Sequence, residues 1–109
     1  MNISGPPFNA VDFAELECSE HTGETGTSFW RTRMFGDIRV RIIEYSPGYL
    51  TGYWCTKGHV FYCLEGDLEV ELKDGRRFLL KPGMSFQVAD NAEPHRNRSV
   101  GGAKFFVVD

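Results

Sequence analysis

The 109-residue chain has no run of basic residues, no C-x-x-C pair, no long apolar stretch and no segment with the repeat of a long helix. Each absence removes a class of function. Twelve Lys and Arg are dispersed among fifteen Asp and Glu for a formal net charge of −3, so no patch draws a polyanion over long range and no nucleic-acid partner is expected. The late apolar run Phe105 to Val108 is far too short to span a bilayer, and Met1 to Pro7 lacks the basic start and apolar stretch of a signal peptide. No membrane partner is expected, and the expected location is cytoplasmic. Cys18, Cys55 and Cys63 make an odd count in a chain without an export signal, which predicts free thiols in a reducing compartment. Neither a Ser-His-Asp order nor a glycine-rich phosphate loop is present.

What is present is strand grammar. Twelve glycines punctuate the chain, and apolar and polar residues alternate between them. From Asp67 to Lys73, Leu68, Val70 and Leu72 face one way and Glu69, Glu71 and Lys73 the other, and Asp74-Gly75 then supplies a tight hairpin turn back into Arg77 to Lys81. The same reading gives strands near Thr27 to Phe35, Ile38 to Tyr45, Leu50 to Thr56, His59 to Leu64, Met84 to Val88 and Lys104 to Val108. Val11 to Leu16 is the only helical hint. Many short strands with frequent turns predict an all-β sandwich or closed barrel. The size suits one core, with nine Phe, four Tyr and two Trp to fill it.

Arg31, Arg33, Arg39 and Arg41 flank the turn Phe35-Gly36-Asp37. A three-residue turn places all four on one face, opposite Trp30, Thr32, Met34, Ile38, Val40 and Ile42. The expectation is a solvated face paired with acids such as Glu69 and Glu71, with an anion site as its rival. His21 is read as a surface residue and Cys63 as a small buried filler.

Leu64-Glu65-Gly66-Asp67, Lys81-Pro82-Gly83 and Glu93-Pro94-His95 fall at the spacings of the two cupin motifs. On these residues the chain resembles a minimal single-domain, RmlC-like cupin. Within that superfamily it is most similar to the small bacterial DHCW-motif cupins, through Gly48-Tyr49-Leu50, Trp54-Cys55, Lys57-Gly58-His59 and Gln87 to Arg96, with Gly52-Tyr53 replacing the Asp-His pair. The resemblance implies a jelly-roll barrel over residues 27–109 after an N-terminal extension, 1–26. In metal-binding cupins the first motif supplies two histidines and a glutamate and the second another histidine. Here Gly52 and Trp54 occupy the two histidine positions, His59 the glutamate position, and His95 the last.

The resemblance thus gives His59 and His95 as metal ligands for one divalent ion (Zn, Ni, Fe or Mn). A metal-free pair hydrogen-bonded to each other, to Gln87 or to water stands beside that reading. Cys55 can approach His59 around the Thr56-Lys57-Gly58 turn, although period two sends it to the face opposite Trp54. Trp54, His59, Phe61, Gln87 and His95 make up the expected ligand pocket. Three functions remain open: a small-molecule-binding protein, a metal-dependent enzyme of oxygenase or isomerase type, and a non-catalytic dimeric module with a filled barrel. Phe8, Phe13, Phe29, Trp30 and Phe35 are more aromatic surface than one small barrel covers, so a homodimer is expected.

Overall fold

Alternation along Leu68–Leu72 does what it predicts: Leu68, Val70 and Leu72 are buried while Glu69 and Glu71 lie on the outer side. The same logic, strand by strand, builds the whole molecule. The computed structural model describes residues 3–109. In chain order its strands are β1 (Cys18–Thr22), β2 (Thr27–Phe35), β3 (Ile38–Tyr45), β4 (Tyr49–Leu50), β5 (His59–Gly66), β6 (Leu68–Leu72), β7 (Arg77–Leu80), β8 (Ser85–Val88), β9 (His95–Ser99) and β10 (Ala103–Val108). They form two antiparallel sheets, β1-β2-β3-β10-β5-β8 and β4-β9-β6-β7. Packed face to face, these make the expected all-β jelly roll. The helical hint reduces to a single 3-10 turn at Phe13–Glu15.

The core lies between the sheets. Ile43 and Tyr45 from β3, Phe61 and Cys63 from β5, and Phe105 and Val107 from β10 meet Leu68, Val70 and Leu72 from β6. Phe105 is fully buried, 4.6 Å from the Tyr45 ring and 4.9 Å from that of Phe61, close enough for aromatic attraction to add to burial. At the end of β5, Gly66 takes φ +72°, and a Cβ there would stand 2.1 Å from the Gly102 carbonyl oxygen. Only glycine lets the chain cross between sheets at that point.

Three expectations are corrected. The arginine turn has two residues, Gly36 and Asp37, because Phe35 pairs with Ile38; Trp30 therefore pairs with Ile43 and Thr32 with Arg41. That one-residue difference reverses the face of β3, as period two requires. Arg39 and Arg41 share the inner side with Trp30, and their acid is Asp109 rather than Glu69 or Glu71. Arg31 instead donates to the carbonyls of Ala14 and Leu16. Glu71 pairs with Arg77 and Arg96, and Glu69 with Arg77, on the outer face of the smaller sheet.

Second, the strand expected over Leu50 to Thr56 is interrupted. Thr51 donates to the Asn97 carbonyl, and the next pairing is Cys55 with His95, so Gly52, Tyr53 and Trp54 bulge out where a regular ladder holds one residue. Third, two strands have no apolar alternation to announce them. β1 reads Cys-Ser-Glu-His-Thr and pairs along β2, and β9 reads His-Arg-Asn-Arg-Ser with His95, Asn97 and Ser99 all buried. His21 is half-buried, its ring stacked 3.8 Å from that of Trp30.

Candidate metal centre and ligand cavity

The bulge at Gly52 to Trp54 and the inward face of β9 together build the site. Cys55 is tied to His95 by two backbone hydrogen bonds, 2.7 and 3.0 Å, which bring the Cys55 thiol beside the imidazole. His59 opens β5, and its Nε2 lies 2.7 Å from Nε2 of His95. The ligand atoms of Cys55, His59 and His95 all lie within 4.8 Å of one another, so this group could hold a metal ion. Motif spacing points to His59 and His95, and the approach of Cys55 to His59 around the Thr56-Lys57-Gly58 turn is the one the structure shows, against strict period two from Trp54. The bulge breaks the alternation between Trp54 and Cys55, so both side chains line the site.

Around the two imidazoles the partners are specific. Nδ1 of His95 donates to the Glu93 carbonyl at 3.0 Å, which leaves Nε2 of a neutral ring as a lone pair. Nδ1 of His59 lies 3.5 Å from the fully enclosed Asp109 carboxylate and has no hydrogen bond of its own. If His59 carries its proton on Nδ1, toward Asp109, two Nε2 lone pairs face each other; if on Nε2, a bare Nδ1 faces a carboxylate. The two Nε2 atoms, 2.7 Å apart, stand at hydrogen-bond distance, and a proton shared between them satisfies both rings. Histidines oriented by a carboxylate and a carbonyl, with a thiol alongside, are a donor set that fits a transition metal.

The ionisation tendencies agree. Burial, with the charge of His95, holds His59 down to about 4 against the pull of Asp109, so it stays neutral and able to ligate. Burial works against His95 too, but its hydrogen bonds to Cys55 and the Glu93 carbonyl outweigh that and raise its pKa. For Cys55, burial opposes ionisation, yet the His95 hydrogen bond, the Lys57 backbone and the charges of His95 and Arg41 lower the thiol below its usual value.

These three side chains line a cavity of about 380 Å³, within the range of small-ligand pockets. Of the expected pocket residues, Trp54, His59, Phe61 and His95 line it, Trp54 under the Arg96 guanidinium at 4.6 Å. Gln87 does not. It pairs with Val60 on the outer side of β5, is exposed, and accepts a hydrogen bond from Ser85, while its neighbour Phe86 takes the inner side against Phe61. Sequence reasoning missed Trp30, Arg39, Arg41, Asn97 and Asp109, which also line the cavity. A two-residue reading of the Gly36-Asp37 turn would have found the first three.

The family model for the cupin domain matches residues 43–109, well over half of the chain, and takes in Cys55, His59 and His95. The chain belongs to the cupin family. No curated protein sequence matches it. Among solved structures, this cupin is similar to ectoine synthase from P. lautus, at 19% identity and a TM-score of 0.75 over 93% of this chain and 76% of that one. It also resembles the polyketide cyclase RemF from Streptomyces resistomycificus, at 22% and 0.74 over 94% and 78%. An RmlC-like cupin from Shewanella frigidimarina matches at 20% and 0.73 over 87% and 83%. At these identities the likeness establishes the cupin fold and leaves the chemistry to the site itself.

Proposed function

We propose that this cupin binds a small molecule in its barrel cavity, over one divalent metal ion held by Cys55, His59 and His95. The observation that carries the reading is the convergence of three ligand atoms within 4.8 Å on the wall of a cavity of about 380 Å³. Of Zn, Ni, Fe and Mn, a thiolate with two imidazoles best suits zinc. Bound there, the ion supplies Lewis acidity and a water of lowered pKa. The chain's own contribution is orientation: the Glu93 carbonyl and Asp109 aim the two rings, and the bulge aims the thiol. A cytoplasmic setting would keep Cys55 reduced.

A metal-dependent enzyme is the second reading, favoured because three protein ligands beside an open cavity is how catalytic rather than structural metals are held. The cavity itself argues against the filled-barrel module. Elemental analysis of protein purified without a metal-binding tag, with zinc titration calorimetry, tests the proposal. The expected result is one zinc per chain and a loss of affinity in Cys55→Ser beyond the roughly 10- to 100-fold that outer partners of a ligand cost. Absence of metal uptake, or an unchanged Cys55→Ser, would overturn it.

A homodimer belongs to the same proposal, on a revised surface. Trp30 turns into the cavity and Phe13 packs on Phe106, so those rings are not free. The outer face of the larger sheet instead leaves Val60, Tyr62 and Leu64 exposed in one row on β5. An apolar row of that kind suits a second copy of the same face across a two-fold axis. Light scattering should give twice the 12.4 kDa chain mass, and Tyr62→Glu the chain mass alone.

A further inference from the structure

The cavity of this acidic protein is lined by an excess of positive charge. Arg39 and Arg41 share one carboxylate, that of Asp109: Arg39 through Nε at 2.9 Å and Nη2 at 3.0 Å, Arg41 through Nη2 at 2.8 Å. Two guanidiniums share one side-chain carboxylate, so the side chains of this group carry one positive charge in excess. It sits where water does little to screen it, since the Arg41 side chain is 5% exposed and that of Asp109 fully enclosed. Nε of Arg41 is buried without a partner, and the Nη1 groups of both arginines make no hydrogen bond among the described residues. Lys57 adds the same sign to the lining, while the charge of Arg96 is met by Glu71.

We infer that the cavity takes a small organic monocarboxylate, seated on Arg41 beside Arg39, with its apolar body against Trp30 and Phe61. Charge selects a monoanion: one negative group neutralises the surplus, whereas a phosphate dianion would leave the interior negative. A carboxylate suits the surplus because its oxygens accept charge-assisted hydrogen bonds, which the unpaired Nη1 groups of the two arginines can donate. Trp30 lies under the Arg41 guanidinium, 4.4 Å from its ring centroid, and holds that group in place by cation–π attraction. This assignment deepens the small-molecule reading of the cavity and rests on it, but not on the metal.

Titration calorimetry with acetate and acetamide, benzoate and benzamide, and indole-3-acetate and indole-3-acetamide tests it, on protein stripped with a chelator and on protein loaded with zinc. The expected result is that at least one acid binds the stripped protein roughly ten- to a hundred-fold tighter than its amide, the size of a hydrogen-bonded charge contact. Arg41→Met, with its circular-dichroism spectrum intact, should erase that preference; Arg39→Gln takes its place if Arg41→Met does not fold. Equal affinity for acids and amides, no binding of either, a preference that exists only with zinc, or one that survives the arginine substitution would each overturn the inference. Zinc uptake by the parent protein is read separately, so failure of the metal site and failure of the carboxylate site are distinguishable.

Discussion

Asp109 is the residue on which the interior electrostatics turn, and Asp109→Asn isolates its charge at nearly constant shape. In the parent its carboxylate accepts two hydrogen bonds from Arg39 and one from Arg41 and faces Nδ1 of His59. Arg39, with 30% of its side chain exposed, recovers much of its loss from water and contributes little. Arg41, at 5%, is left with a buried charge and no anion. Breaking a buried pair from one side costs about 3 to 5 kcal/mol; the asparagine oxygen keeps one acceptor, so the low end, about 3 kcal/mol, is expected. For a domain of this size that is a fall of about 12 °C or more in Tm. Urea unfolding followed by tryptophan fluorescence measures it, with an unchanged slope as the sign that the denatured state is unaffected. In an Arg41→Met background the same substitution should cost under about 1 kcal/mol, because the charge it strands is gone. A loss below about 1 kcal/mol in the parent background would refute the claim that Asp109 neutralises a buried arginine.

Phe105→Ala, at the fully buried centre of β10, should cost about 3 to 5 kcal/mol in the same assay, while Phe8→Ala, 96% exposed, should stay within about 0.5 kcal/mol of the parent. The Glu71 carboxyl is held below its usual 4.5 by the Arg96 hydrogen bond first and by the charges of Arg96 and Arg77 next. A lowered carboxyl pKa means that its stabilisation is present above the ordinary value and is lost as pH falls through the folded one. The stability difference between parent and Glu71→Gln, under about 1 kcal/mol for so exposed a network, should therefore hold at pH 7 and disappear in acid below about 4.5. A difference that grows in acid would contradict that pairing.

How much of this was legible depends on where the sequence obeys a period. Leu68, Val70 and Leu72 announced β6 because their partners across the core are apolar, and the hairpin at Asp74-Gly75 followed from glycine at φ +102°. β9 gave no such signal: its inward residues, His95, Asn97 and Ser99, are polar because they face a cavity and a polar network rather than oil. An inward polar strand looks like a loop to any rule based on hydrophobic alternation. Cys55 and the arginines were misplaced for a related reason. The Gly36-Asp37 turn is one residue shorter than expected, which changes parity and moves every side chain of β3 to the other face; at Gly52 to Trp54 the ladder is broken, so alternation counted from Trp54 does not carry to Cys55. Gln87 shows the converse, since Phe86 beside it had already claimed the inner face. His59 and His95 were legible because their evidence was motif spacing, which does not depend on parity.

The central claim, a metal held by one thiolate and two imidazoles, is tested most directly by replacing the metal with cobalt(II) and recording the absorption spectrum. The account predicts intense visible bands of a four-coordinate ion and a thiolate-to-cobalt charge-transfer band in the near ultraviolet, the latter lost in Cys55→Ser and the whole spectrum lost in His59→Ala/His95→Ala. A pale, six-coordinate spectrum without the sulfur band, identical in the parent and in Cys55→Ser, would contradict it.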